Sequence, residues 1–175
     1  MKHKFLLLYS WFIRISLFFL PDIPFIMRFR GFLYGIFMKK KYSNFQVAHN
    51  VIINSLEKIT IEENVYIAPN CFLIGGDNIE ILSNVQIGPG CVLSSTNHKF
   101  DHEKKAFSKK RQGKGSIVID RGVWIGANCT ITAGTYISKS SVVGANSMVN
   151  KKLDKEQSIY GGVPAKFIKR IENNN

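Results

Sequence analysis

The sequence predicts an all-β solenoid, a parallel β-helix of short strands wound into triangular coils, with a helical segment before it and a short helix after it. Three observations carry this. First, an aliphatic residue returns at six-residue steps between Val47 and Val149: Val47, then Ile61, Ile67, Leu73, then Ile81, Ile87, Leu93, then Ile119, Ile125, Ile131, Ile137, Val143 and Val149. Fixed-period self-similarity marks a repeat architecture. Second, three positions behind the aliphatic residue stands Asn or Gly: Asn50, Asn64, Asn70, Asn84, Gly90, Gly122, Asn128, Gly134 and Asn146, with Ser140 as the one departure. Asn and Gly tolerate positive φ, which a chain turning a corner at that point demands. Third, the next position is small or modest, as in Val51, Cys71, Cys91, Cys129, Thr135 and Ser147, and fits the inside of that corner. Each hexad is a strand plus a corner, and three hexads close a coil that is stable only when stacked on others.

In chain order, residues 1–42 form a basic, aromatic-rich helical segment. An apolar run over 5–20 is interrupted by Arg14, and a Pro21-Asp22-Ile23-Pro24 turn leads to a second run over 25–38 carrying Arg28 and Arg30. The absence of a small-x-small cleavage site argues against a signal peptide, and the first run is short for a bilayer span, which takes about 20 apolar residues. Two readings stand open: helices lying peripherally in a membrane interface, or helices packing on the solenoid or between subunits.

The chain has a net charge of +12. Residues 1–41 contribute eight Lys/Arg against Asp22, residues 99–114 seven against Asp101 and Glu103, and the remainder is neutral. No nucleic-acid-binding motif accompanies this charge, so membrane surfaces and phosphorylated ligands are the expected partners, and nucleic acid is not. Cys71, Cys91 and Cys129 share one corner position and read as small core residues.

The solenoid, residues 43–160, loses its register in an extruded stretch over 94–118, polar and rich in ionisable groups. Loops this long in a compact repeat are usually functional. His98 lies five residues past Leu93, where a rigid wall still holds its backbone, and its imidazole suits proton transfer in acyl transfer. His98 and His102 also fit ordinary polar residues of a solvated loop, and Asp101 either orients an imidazole or is one more loop charge. Zinc chemistry would need three converging histidines, and only His98 and His102 lie near each other, so no metal is expected. Trp124, the sixth residue of its hexad, should face outward. Residues 161–175 form a C-terminal turn, a short helix beginning at Lys166 and a tail.

The block Val123-Trp124-Ile125-Gly126-Ala127-Asn128-Cys129, then Val143-Gly144-Ala145-Asn146, then Tyr160-Gly161-Gly162-Val163-Pro164-Ala165-Lys166, together with Thr96-Asn97-His98, resembles the hexapeptide-repeat acyltransferases, most of all sugar and polysaccharide O-acetyltransferases of the maltose/galactoside acetyltransferase type. The resemblance covers about residues 47–170. It implies a left-handed winding, a homotrimer with sites between subunits, and an acetyl-CoA-dependent transfer to a sugar hydroxyl. It also implies His98 as general base with Asp101 beside it. Coenzyme contacts fall at Trp124, Gly126, Ala127, Gly144, Ala145, Lys151, Lys166 and Lys169, and substrate contacts at Asn70 and Asn97. Lysine replaces the arginine common at two of the phosphate-facing positions, which anchors by charge without a bidentate fork. The acceptor expected from this likeness and from the basic N-terminus is a bacterial surface polysaccharide or its lipid-linked precursor, met in the cytoplasm at the inner face of the membrane. An N-acetyltransferase of an amino sugar, a drug-acetylating enzyme and a non-catalytic binding or scaffold solenoid are the alternatives.

Overall fold

A computed structural model describes residues 2–40, 44–112 and 115–172. Among them the strands stack into three flat faces. The first face runs through Gln46–Val47, Tyr66–Ile67, Gln86–Ile87, Trp124–Ile125, Val142–Val143 and Ser158–Gly161; the second through Ile52–Asn54, Phe72–Ile74, Val92–Ser94, Thr130–Thr132 and Met148–Val149; the third through Ile59–Ile61, Ile79–Ile81, Ile117–Ile119 and Tyr136–Ile137. Every pairing named so far is parallel, coil upon coil. A strand of two or three residues exists only because its neighbours above and below supply both sides of its ladder.

All ten corner residues have φ between 53° and 84°, Ser140 included. The corner asparagines also bond one another from coil to coil: Asn50 donates to Asn70 at 2.8 Å, and Asn44 to Asn64 at 3.0 Å. The six-residue step holds on the first face, whereas the corner between the second and third faces varies. Ile53, Leu73 and Leu93 are partners in adjacent coils twenty residues apart, but Ile131 and Val149 are eighteen apart. The two extra residues make a 3-10 turn at Leu56–Lys58 in the first coil and the Gly75-Gly76 turn in the second. They hid Ile53 from the periodicity, although it is fully buried in the core with Val47, Ile67 and Ile87.

Helix α1 (Lys2–Ser16) and helix α2 (Pro24–Gly35) close the N-terminal end of the stack. Pro24 at the first helical position needs no N–H partner. The first coil would otherwise leave a row of carbonyls bare, and the cap answers them. Ser10 Oγ donates to Ile53 O at 2.6 Å, Tyr34 Oη to Val51 O at 3.3 Å, and Lys39 N to Ile59 O at 3.1 Å. Burial pushes the Tyr34 phenol up to about 12, so it remains a neutral donor. Gly31 is seated against Phe45: a Cβ there would stand 2.2 Å from the Phe45 carbonyl oxygen. Arg30 is buried and ties the linker to the stack, donating to Asp22 and to the carbonyls of Leu17 and Leu20, and Asp22 in turn accepts from the His49 ring and the His49 N–H. No described helix is long and apolar enough to cross a membrane.

At the opposite end the structure corrects one expectation. Lys166–Arg170 is a strand, antiparallel to Ser158–Gly161, and not the start of a helix. The chain reverses at Gly162, with φ 98°, and meets the unpaired edge of the last coil. A five-residue segment gains little as an isolated helix, since nucleation is costly, whereas the open edge offers a ready ladder.

Asp22 yields a pH signature. Burial pushes its carboxyl up, but hydrogen bonds from the His49 ring, Arg30 and the His49 N–H outweigh that and hold it below the ordinary carboxylate value. Such a group stabilises the fold at all pH above its unfolded pKa and loses that contribution as pH falls through the native one. The thermal midpoint should therefore fall on acidification below about pH 4. Asp22→Asn should melt lower at neutral pH and show a flatter acid limb, and equal slopes in both proteins would place the acid sensitivity elsewhere.

Candidate functional site

The polar stretch that interrupts the third coil, between its second and third faces, is an antiparallel hairpin, Asn97–Asp101 against Ala106–Gln112. Its exit from the solenoid is pinned. Ser95 is fully buried, its hydroxyl donates to Asp77 O at 2.8 Å, and it accepts from Asp77 N at 3.1 Å. Thr96 lies over Gly76, where a Cβ would come within 2.4 Å of the Thr96 Cβ. Two residues beyond this anchor, His98 stands exposed on the hairpin, paired in register with Arg111. His98 Nδ1 lies 3.3 Å from Ser108 O. A carbonyl only accepts, so Nδ1 is the donor in this contact, and whenever the ring is neutral the lone pair falls on Nε2, the tautomer a general base requires.

Asp101 is not beside His98. Its Oδ1 accepts from the backbone N–H groups of Glu103 and Lys104, each at 3.1 Å, and so shapes the hairpin turn. Three residues along a strand also places it on the opposite face from His98. His102 sits at the tip, its ring edge-on to Phe100 at 5.1 Å. A shallow cavity of about 490 Å³ in the crook of the hairpin is lined by Lys99, Phe100, Asp101, His102, Glu103, Lys104 and Ser108, without His98 or Trp124. Asn97 is exposed on the hairpin, paired with Gln112. Asn70 has φ 61° and accepts from Asn50, so its geometry is that of a corner residue.

Trp124 lies on the first face, flanked in register by Gln86 and Val142, and is 55% exposed. Gly126 is held small by stacking: a Cβ there would stand 2.6 Å from Ala145 N, and its own N–H donates to Val143 O at 2.8 Å. That N–H is spent on the ladder. Ala127, half-buried beside it, donates to no carbonyl among the described residues, and Ala145 is exposed. At Gly144 a Cβ would meet only the Tyr160 oxygen at 3.5 Å, so the chain has room there.

Lys151 and Lys166 meet at the C-terminal end of the stack, where a cavity of about 160 Å³ is lined by both together with Lys152, Lys155, Tyr160 and Phe167. Lys155 Nζ lies 4.2 Å from the Phe167 ring centre, and Tyr160 Oη bridges the backbone N–H and carbonyl of Lys155. Lys169 is outside this cluster and pairs with Glu172 at 3.6 Å. Lys152 and Lys155 were missed in the sequence, although the run Lys151-Lys152-Leu153-Asp154-Lys155 after the last hexad was a visible signal. Asp154 also lines this cavity, but four lysines against one carboxylate, beside aromatic rings, leave a net positive wall that fits a phosphorylated, ring-bearing ligand.

The hairpin leaves at the corner between the second and third faces, whereas Trp124 lies on the first. One chain therefore does not bring His98 and Trp124 together.

No family model matches the chain. Over 130 residues it is 33% identical to the lipopolysaccharide biosynthesis O-acetyl transferase WbbJ of Escherichia coli K12, covering 74% of this chain and 59% of that protein. It is 32% identical to the galactoside O-acetyltransferase of the same organism, covering 74% of this chain and 53% of that one. The chain thus spans between half and three fifths of the length of these relatives. Among solved structures, a hexapeptide-repeat acetyltransferase of Vibrio cholerae, complexed with acetyl coenzyme A, superposes with a TM-score of 0.83 at 24% identity, over 98% of this chain and 90% of that one. The fold is the left-handed parallel β-helix.

The anchor of the hairpin is open to test. Gly76→Ala forces Thr96 outward and should cost about 1–3 kcal/mol of stability. Thr96→Gly in the same protein should recover part of that loss, measured by denaturant titration of the single and double variants.

Proposed function

Because this chain belongs to the hexapeptide-repeat acyltransferase family, we propose that it is an acetyl-CoA-dependent O-acetyltransferase that modifies a sugar hydroxyl, its acceptor a bacterial surface polysaccharide or the lipid-linked precursor of one. The observation that carries this reading is His98, fixed just past the last residue the solenoid holds, with Nδ1 turned to Ser108 O and Nε2 outward. In this reading Nε2 removes the proton of the acceptor hydroxyl. The oxygen bonds to the acetyl carbonyl carbon, the carbon–sulfur bond breaks, and the imidazolium returns its proton to the departing thiolate. Cys71, Cys91 and Cys129 are buried, each with its thiol toward a glycine carbonyl and away from His98, and in this reading transfer is direct.

The donor is held by the chain's other half. Trp124 offers an exposed ring to its flank, the Ala127 N–H is the backbone donor available to a developing oxyanion, and the lysine cavity of Lys151, Lys152, Lys155 and Lys166 receives its phosphates. Asp101 enters as the residue that shapes the hairpin turn. Since one chain holds the base and the donor side on different faces, the complete site lies between two copies, as a homotrimer with a shared axis would place it. The protein acts in the cytoplasm, where the donor is available, against an acceptor at the inner face of the membrane.

His98→Ala should lower kcat by about 10²–10⁴-fold while leaving acetyl-CoA binding within about twofold by calorimetry. Lys152→Ala/Lys155→Ala should weaken that binding by about tenfold, with a shallower salt dependence. Mixed oligomers of His98→Ala and Trp124→Ala chains should regain activity that neither parent has. If mixing restores nothing while both variants assemble, the shared site is wrong.

A further inference from the structure

The helical cap has two apolar sides, and the solenoid uses one. On α1 the side chains of Leu6, Ser10 and Ile13 face the first coil and are buried. A second stripe, Phe5, Leu8, Phe12 and Ile15, runs along the opposite side at alternating three- and four-residue steps and is carried on by Phe19, which is 92% exposed. Helix α2 repeats the arrangement: Met27, Gly31 and Tyr34 face inward, while Phe25, Phe29, Phe32 and Ile36 face out. Tyr9 of α1 donates to Leu33 O of α2 at 2.9 Å, and Phe5 and Tyr9 pack against Phe37 just past α2, so the stripes form one surface. A continuous face of nine exposed large apolar side chains, Phe19 and Phe25 among the most exposed, is the kind of patch that marks an interaction surface.

We propose that this outer face of the cap is a docking surface for an anionic lipid bilayer, in which the phenylalanine stripes enter the interface and the lysines and arginines at its margin meet the headgroups. The inference stands on the cap alone, and it adds to the acetyltransferase reading the surface on which its acceptor is met. Charge favours a bilayer over a second copy of the chain. Lys2, Lys4, Arg28, Lys39 and Lys40 are exposed around the patch, and the only acidic residue in this segment, Asp22, is engaged by Arg30 and His49. A self-complementary seam would set these like charges against one another, whereas anionic headgroups satisfy them at about 1 kcal/mol each. Aromatic and aliphatic side chains on one side with basic residues at the rim is the pattern of an interfacial helix, and neither helix is long enough to span. The coil that carries His98 is the third from this cap, about 10 Å beyond the first at ~4.8 Å per coil. A sugar on a lipid carrier would stand within reach of it.

The test is co-sedimentation of the full chain with vesicles of phosphatidylcholine alone or mixed with phosphatidylglycerol. Wild type should partition onto the anionic vesicles, less onto neutral ones, and less again in high salt. Phe12→Ser/Phe25→Ser/Phe29→Ser should reduce partition by about tenfold or more without lowering the thermal midpoint, because these side chains face away from the solenoid. Lys4→Gln/Arg28→Gln should reduce it by about tenfold on anionic vesicles alone, and serves if the first variant folds poorly. In a Trp124→Phe background, Trp11 emission should shift blue on vesicle addition. Wild type that stays in solution, or binding that both variants retain, overturns the proposal. So does an oligomer that falls apart in the phenylalanine variant with partition unchanged, since a second copy then covers the face. Acetyl-CoA titration of the same samples keeps this outcome separate from that of the enzymatic reading.

Discussion

Everything in this molecule depends on a backbone that turns through positive φ at each hexad corner. That conformation is cheap for Gly and tolerable for Asn, and costs of order 1 kcal/mol or more for most other residues. Once the corners are set, strands two or three residues long fall into register. The next side chain in each hexad is trapped inside the corner, which is why Val51, Cys71, Cys91, Cys129 and Ser147 stack in one buried column. The same spacing brings backbones together at Gly88 and Gly126, where even a methyl group would overlap the neighbouring coil. Of the two glycines a coenzyme reading singles out, Gly126 is thus also required by stacking whereas Gly144 is not, and ligand contact at Gly126 would exploit a groove that packing already made.

A stack held by coil-to-coil hydrogen bonds has two raw ends, and the protein treats them differently. At the start, Ser10 and Tyr34 satisfy carbonyls of the first coil from helices laid across it, and Lys39 does so from the segment just past α2. At the finish, the chain folds back on itself and completes the sheet edge with its own last strand. The difference follows from composition. The N-terminal segment carries enough apolar side chains to cover a core, whereas the C-terminal one is short, charged and able to offer only a backbone ladder.

The variable corner between the second and third faces is where the solenoid admits insertions. It is two residues longer in the first two coils, expands into the hairpin in the third, and returns to a plain hexad afterwards. Because Ser95 and Thr96 lock the exit onto the preceding coil, His98 is held by a rigid wall although its side chain is exposed. The molecule is therefore polar along its axis, with a greasy basic cap at one end, the histidine in the middle coils and a lysine cavity at the other.

The repeat was legible in the sequence because its constraint is largely local: nine of the ten corners carry the Asn or Gly that tolerates positive φ, and Ser140, the departure, takes the same φ because the coils stacked around it impose the turn. Ile53 was not, since the two residues inserted after it broke the count. Sequence alone also marked His98, Trp124, Lys151 and Lys166 as residues of interest. Only the tertiary structure decided that Asp101 shapes a turn, that Lys169 leaves the cluster while Lys152 and Lys155 join it, and that residues 166–170 pair as a strand. Those outcomes depend on which backbone groups remain unpaired after the coils have stacked and on which faces the prism separates. Contacts between residues far apart in the chain settle both, and no local pattern records them.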